Sequence, residues 1–198
     1  IGLEVHVQLE TDTKIFCGCS TTAKEDEAPN SRTCPVCLGL PGALPAVNEA
    51  AVEAAVRVGK ALDAEIAPET RFHRKNYFYP DLPKNFQISQ YDAPICRDGS
   101  IEVSVEGERR EVVIRRAHLE EDPGSIVHAG GSIDTADYTL VDYNRAGTPL
   151  MEIVTEPDFR GAEEVRAFLA KLEEVLEYLG VFAAEPDRRH RSDANPAV

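Results

Sequence analysis

The segment Ile1-Gly2-Leu3-Glu4-Val5-His6-Val7-Gln8-Leu9-Glu10 alternates apolar and polar residues almost without a break. That pattern commits it to a β-strand with one dry face, made by Ile1, Leu3, Val5, Val7 and Leu9, and one polar face. At a rise of about 3.3 Å per residue, Glu4 and His6 stand roughly 7 Å apart and point the same way. A carboxylate beside an imidazole is either part of a solvated outer surface or half of a site for a divalent ion. A second alternating stretch at 101–105 turns at Glu106-Gly107-Glu108 and resumes at Val112-Val113-Ile114, predicting a β-hairpin. Strands are also expected over 138–143 and 151–154. Two helices fit as scaffold. One follows the N-cap candidate Asn48 and carries Ala51, Val52, Ala55, Val56, Val58, Gly59 and Leu62; the other runs from Gly161 to Leu179 with apolar residues at three-to-four spacing and stops at Gly180.

The chain has 198 residues, 42% of them hydrophobic, which suits one substantial domain or a domain with a small module. No run of about 18 apolar residues exists, so no membrane-spanning helix is expected. Acidic residues outnumber basic ones 35 to 21, for a net charge of −14. Such a surface fits an ordinary acidic cytoplasmic protein or one adapted to high salt, where the Debye length shrinks to about 3 Å. It argues against a general nucleic-acid-binding surface, since phosphate contacts need local positive charge, so any RNA partner must meet local basic patches or another chain. The chain begins at Ile1 with no basic, apolar leader, and a cytoplasmic location is expected.

Three clusters carry chemistry. Cys17-Gly18-Cys19 and Cys34-Pro35-Val36-Cys37, separated by polar, turn-rich sequence, offer four thiolates at tetrahedral reach, the pattern of a structural Zn²⁺ knuckle over 16–40. Disulfides are the competing explanation, and a reducing compartment disfavours them. Cys96 stands apart and reads as a small buried hydrophobe. Residues 68–95 read as irregular, and Arg71 to Lys84 packs cations among aromatics. Arg74, Lys75 and Lys84 could receive phosphate oxygens while the rings stack a base or wall a pocket; alternatively the rings are core and the cations pair with acidic neighbours. Glu120-Glu121-Asp122, closed by Pro123-Gly124, places three acids at a strand end, where they repel one another unless a cation sits there or the segment is a solvated turn. No P-loop is present, so any ATP would be held by other means.

Several of these blocks, in order, resemble the GatB proteins, the B subunits of the aspartyl/glutamyl-tRNA(Asn/Gln) amidotransferases. They are Ile1 to Leu9, Cys34 to Gly42, Arg74-Lys75-Asn76-Tyr77-Phe78-Tyr79-Pro80-Asp81, His118 to Asp122, Asp142-Tyr143-Asn144-Arg145-Ala146-Gly147 and Glu156-Pro157-Asp158. The wording is similar to the family's forms from salt-loving archaea.

The resemblance implies an α+β cradle domain similar to the glutamine synthetase/guanido kinase fold, with an antiparallel sheet. It implies that residues 1–198 form the N-terminal catalytic part of a longer protein, incomplete at its C-terminus, whose later domains grip tRNA. The implied activity is an ATP-dependent ligase: the side-chain carboxylate of Asp or Glu misacylated on tRNA is phosphorylated, and ammonia displaces the phosphate. Ammonia comes from the partner amidase, GatA, with the small GatC protein completing a heterotrimer. By the same resemblance Glu4, His6, Glu121 and Asp193 are expected as Mg²⁺ ligands, with Glu120 and Asp122 either standing behind those ligands or shaping the loop. Arg74 and Lys75 would contact phosphate, Lys75 and Lys84 would serve as pocket cations, and Cys17, Cys19, Cys34 and Cys37 would form the zinc knuckle found in some members. One region departs from the family. Where it usually reads Gly-Ser-Leu-Arg-x-Asp-Ala-Asn, this chain has Arg188-Arg189-His190-Arg191-Ser192-Asp193-Ala194-Asn195, and Pro196 would block a ladder donor. The alternatives are a noncatalytic, zinc-stapled fragment that binds the amidase, and the paralogous, Glu-specific archaeal GatE.

Overall fold

The computed structural model describes residues 1–130, 135–182 and, as a backbone strand, 191–195. In chain order its elements are β1 (Gly2–Gln8), α1 (Glu49–Ala61), β2 (Glu65–Ile66), β3 (His73–Asn76), β4 (Phe86–Ser89), β5 (Cys96–Val105), β6 (Glu108–Glu121), β7 (Ser125–His128), β8 (Thr139–Asp142), β9 (Pro149–Thr155), α2 (Ala162–Tyr178) and β10 (Arg191–Asn195). The fold is α+β, and all of the pairings described are antiparallel.

The long strand β6 is the spine of the sheet. One edge takes β5 and then β4; the other takes β9, and β1 and β10 follow outward from it. Strand β6 forms because its residues alternate, but its parity changes partway along. Val112 and Ile114 face the core, and after a bulge between Ile114 and Arg116 the core-facing positions become Ala117 and Leu119. A bulge inserts one unpaired residue and so flips the faces of everything beyond it. Arg116, His118 and Glu120 therefore all stand on the polar face.

The dry face is packed by both helices. Leu3, Val5 and Val7 of β1, Ile153 of β9 and Leu119 of β6 join Ala55 and Val58 of α1 and Phe168, Leu172 and Leu176 of α2 in one buried cluster. Each such aliphatic side chain contributes about 1.5–3 kcal/mol on burial, which outweighs any intrinsic helix preference of the two segments. Asn48 caps α1 by accepting a hydrogen bond from the Ala50 N–H, as its position predicts. Gly59 lets α1 press onto Cys96 and Ile66, where a Cβ has no room. Cys96 is fully buried there, in keeping with a small apolar role.

Residues 68–95 differ from the expectation of irregular structure, because β3 and β4 form a hairpin on the sheet's edge. All four residues of β3 are exposed and none is apolar, so the usual two-residue periodicity is missing.

Candidate functional site

The polar face collects its reactive groups by register across three strands. His6 on β1 lies opposite Glu152 on β9, Glu152 lies opposite His118 on β6, and Glu120 follows two residues later on the same face. His6 Nε2 is 3.4 Å from Glu120 Oε1 and 3.5 Å from Glu152 Oε2. His118 Nε2 is 3.7 Å from Glu120 Oε2 and 3.6 Å from Glu152 Oε2. His118, Glu120 and Glu152 are buried, and His6 is half-buried.

This density of charge in a poorly hydrated place has electrostatic consequences. The Glu120 and Glu152 carboxylates hold the His6 proton so firmly that its pKa rises to about 10. Burial pushes Glu120 up, but the two imidazoles overcome it and hold the carboxyl at about 2. Even so, His6 Nδ1, both ring nitrogens of His118 and Glu120 Oε2 have no hydrogen-bond partner among the described residues. Buried polar atoms left unpaired are costly, and a bound ion is one of the few things that satisfies several at once. The ligand atoms of His6, Glu120 and Glu152 lie within 4.8 Å of one another and could hold a metal ion.

A cavity of about 360 Å³ opens over this cluster, lined also by Glu4, Arg74, Lys75, Tyr91 and Arg116. Glu4 lines it two residues before His6, as the strand's alternation predicts. Lys75 stands 5.8 Å over the Tyr77 ring, and the Arg74 guanidinium 4.7 Å over Phe86, so these cations lean on aromatic faces at the edge of the cavity. Phe78 and Tyr79 are exposed rather than core.

The three consecutive acids go to three different places. Glu120 joins the histidines. Glu121, on the opposite face, is buried with Lys84 Nζ on one oxygen and the Ile88 N–H 2.8 Å from the other. Burial nevertheless pushes the Glu121 carboxyl above its ordinary range, against the pull of Lys84. Asp122 meets Arg145 Nε at 3.2 Å, and burial raises it to about 7. Strand alternation explains why neighbouring acids need not share one cation. Among the expected metal ligands, Glu4 and His6 are thus brought together, while Glu121 and Lys84 pair with each other at a second cavity of about 470 Å³. Asp193 sits on β10 with its Cα opposite that of Glu4. Pro196 lies outside the described residues.

Sequence reasoning missed His118, Glu120 and Glu152 as partners of His6. The signals were a lone acid inside the otherwise apolar Leu150-Met151-Glu152-Ile153-Val154 and the parity change at Arg115.

Cys17, Cys19, Cys34 and Cys37 come together as expected, with sulfurs within 4.8 Å of one another and Cys34 and Cys37 Sγ 3.8 Å apart. Four thiolates at about 2.3 Å from a tetrahedral Zn²⁺ would be separated by roughly 3.8 Å, the spacing of the Cys34–Cys37 pair, so the cluster could hold such an ion. Lys14 is fully buried beside it, its Nζ donating to the Arg32 carbonyl at 2.8 Å and lying 3.7 Å from Cys37 Sγ. The Cys37 thiol is pulled well below its usual range, first by the Cys17 S–H and further by the Lys14 charge. Gly39 closes the segment onto the second cavity; its φ of +66° and the Lys84 stem pressed against it leave no room for a side chain.

Fold and site together define an antiparallel α+β domain whose polar sheet face sets a cluster that could hold a metal ion beside positively charged side chains. More particularly, the chain belongs to the GatB/GatE catalytic domain family, which it matches over residues 1–198. It is 76% identical over 198 residues to the B subunit of an aspartyl/glutamyl-tRNA(Asn/Gln) amidotransferase from Natronomonas pharaonis, covering 100% of this chain and 40% of that protein. It is 77% identical over 195 residues to the protein of that name from Haloquadratum walsbyi, covering 98% of this chain and 39% of the relative. Against that from Methanosarcina mazei the identity is 58% over 199 residues, covering 100% and 40%. The chain thus spans about 40% of the length of these relatives. No helix among the described residues is long and apolar enough to cross a membrane.

Proposed function

We propose that this chain is the catalytic part of a GatB protein that acts, within an amidotransferase, on Asp or Glu misacylated on tRNA. A side-chain carboxylate oxygen attacks the γ-phosphorus of ATP, the bond to ADP breaks, and an acyl phosphate forms. Ammonia then attacks the acyl carbon, the C–O bond breaks, phosphate leaves, and one proton is lost to give the amide. In the complete heterotrimer the GatA amidase would supply ammonia, the small GatC protein would complete the assembly, and regions outside this chain would carry most of the tRNA contact.

The observation that carries this reading is the His6, Glu120, Glu152 and His118 cluster, whose unpaired buried atoms and captured proton mark the place for a divalent cation. Metal ligation needs the deprotonated imidazole, so Mg²⁺ would take the place that the proton holds on His6. Glu4 and Asp193, adjacent in register, are the further oxygen ligands we assign. Bound there, Mg²⁺ would offset the repulsion between a carboxylate and a triphosphate. Arg74 and Lys75 draw the phosphates toward the cavity, and the wall of β-sheet below excludes water. The Lys84–Glu121 pair lines the second cavity, where the Lys84 ammonium is engaged by a carboxylate rather than by phosphate. Zn²⁺ on the four cysteines would brace residues 16–40 against the sheet end, and the cradle architecture would hold the two cavities around the reacting atoms.

The test is made in the full-length protein together with its partners. His6→Ala should abolish ATP-dependent phosphorylation of misacylated tRNA while glutamine hydrolysis and assembly persist. Undiminished phosphorylation by that variant would reject the proposal.

A further inference from the structure

Arg116 is set apart from its neighbours by what it lacks. Arg115, one residue earlier, is closed by two contacts to Glu156 at 2.7 and 2.6 Å, and Arg145 is occupied by Asp122 and the Gly124 carbonyl. Arg116 lies past the bulge and faces the cavity over the cluster, with its side chain only 14% exposed. Its buried Nε has no hydrogen-bond partner among the described residues, and its nearest carboxylate oxygen, Glu152 Oε1, is 3.8 Å away, beyond hydrogen-bond reach. The guanidinium lies over Tyr91, 4.4 Å from the ring centroid, a cation–π contact that holds it at the cavity wall. A buried arginine with an idle donor costs stability unless a ligand completes it.

Building on the function proposed above, we propose that Arg116 receives the carboxylate of the acceptor amino acid and aims it into the cavity beside His6 and Glu152. A planar fork matches a carboxylate through two parallel N–H···O bonds. The amide product presents N–H groups where the fork needs acceptors, so the same contact favours release of product. Polyphosphate is better served by Arg74 and Lys75, which stand at the exposed edge on β3.

The experiment uses the full-length protein in its complex, with acyl phosphate trapped by hydroxylamine in the absence of ammonia. Arg116→Ala should slow trapping about a hundredfold while KM for ATP stays within about twofold, and millimolar guanidinium should restore part of the rate. Arg116→Lys should not restore it, because an ammonium lacks the fork. Tyr91→Ala should lose an intermediate share of the rate. A rise in KM for ATP would place phosphate on Arg116 and overturn the proposal. A slowed variant that guanidinium leaves unrescued would also overturn it, by reducing Arg116 to a structural part. Should His6→Ala abolish phosphorylation while Arg116→Ala leaves it unchanged, this inference alone falls; should both leave it unchanged, the proposed function falls with it.

Discussion

Among the described residues two clusters could hold a metal ion, and they are built in opposite ways. The cysteine cluster draws its ligands from 21 consecutive residues, Cys17 to Cys37, within irregular backbone. The imidazole–carboxylate cluster draws its own from β1, β6 and β9, whose nearest members are more than a hundred residues from His6 in sequence. The first lies within its own loop, where a bound metal would contribute directly to folding; the second is organised by a sheet whose hydrophobic face is already covered by the core. Metal should therefore matter to structure at the knuckle and to chemistry on the sheet.

The largest effect expected from that contrast is on rate. Glu152→Gln should lower transamidation at least a hundredfold in the assembled enzyme while circular dichroism and assembly stay unchanged, because removing a charge from a preorganised site costs several kcal/mol of barrier. A variant that unfolds instead would show that the cluster holds the sheet together.

Next comes the Lys84–Glu121 pair, which lies between the two regions. Lys84→Met leaves a buried carboxylate uncompensated and should cost about 3–5 kcal/mol in denaturant unfolding. The double variant Lys84→Met/Glu121→Gln should recover most of that loss, and a double-mutant cycle measures the coupling.

Stripping zinc should act locally. At a hundredfold excess over its Kd the ion adds about 2.7 kcal/mol, so chelation should lower stability by that order and open residues 16–40 to protease while β6 amides stay protected from exchange. Uniform loss of protection would erase the distinction between the regions.

The smallest effect is a pH dependence on the sheet side. His6 has its pKa raised from 6.5 to about 10, so its proton contributes stability that is complete below pH 6.5 and is lost as pH climbs through about 10. After allowance for the solvent that reaches this half-buried ring, metal-free protein should lose roughly 2 kcal/mol across that window. Thermal melts should show the decline, and His6→Ala should remove it.

The same contrast explains what could be read in advance. The convergence of the four cysteines was legible because they are close in sequence and their spacing alone implies tetrahedral reach. Strand β1, both helices and the β5–β6 turn were legible because a period of two or of three to four runs through β1, the helices and the residues on either side of that turn. Strands β3 and β4 were not, since a charged, exposed edge strand has no buried side to leave a period. Glu121 was expected beside His6 on the family resemblance, whereas strand geometry sends Glu120 and Glu121 to opposite faces.

Amino-acid order determined the strands with a dry side, the two helices, the cysteine ligands and the family, since all of these depend on residues within a few positions of one another or on long matching blocks. Which acids meet His6 depended on the register of β1 with β9 and of β9 with β6, and on one bulge that turns Arg116, His118 and Glu120 to the polar face. Register is set by packing summed over the entire sheet, and shifting it by one residue exchanges its faces, so only the assembled tertiary structure could decide that pairing.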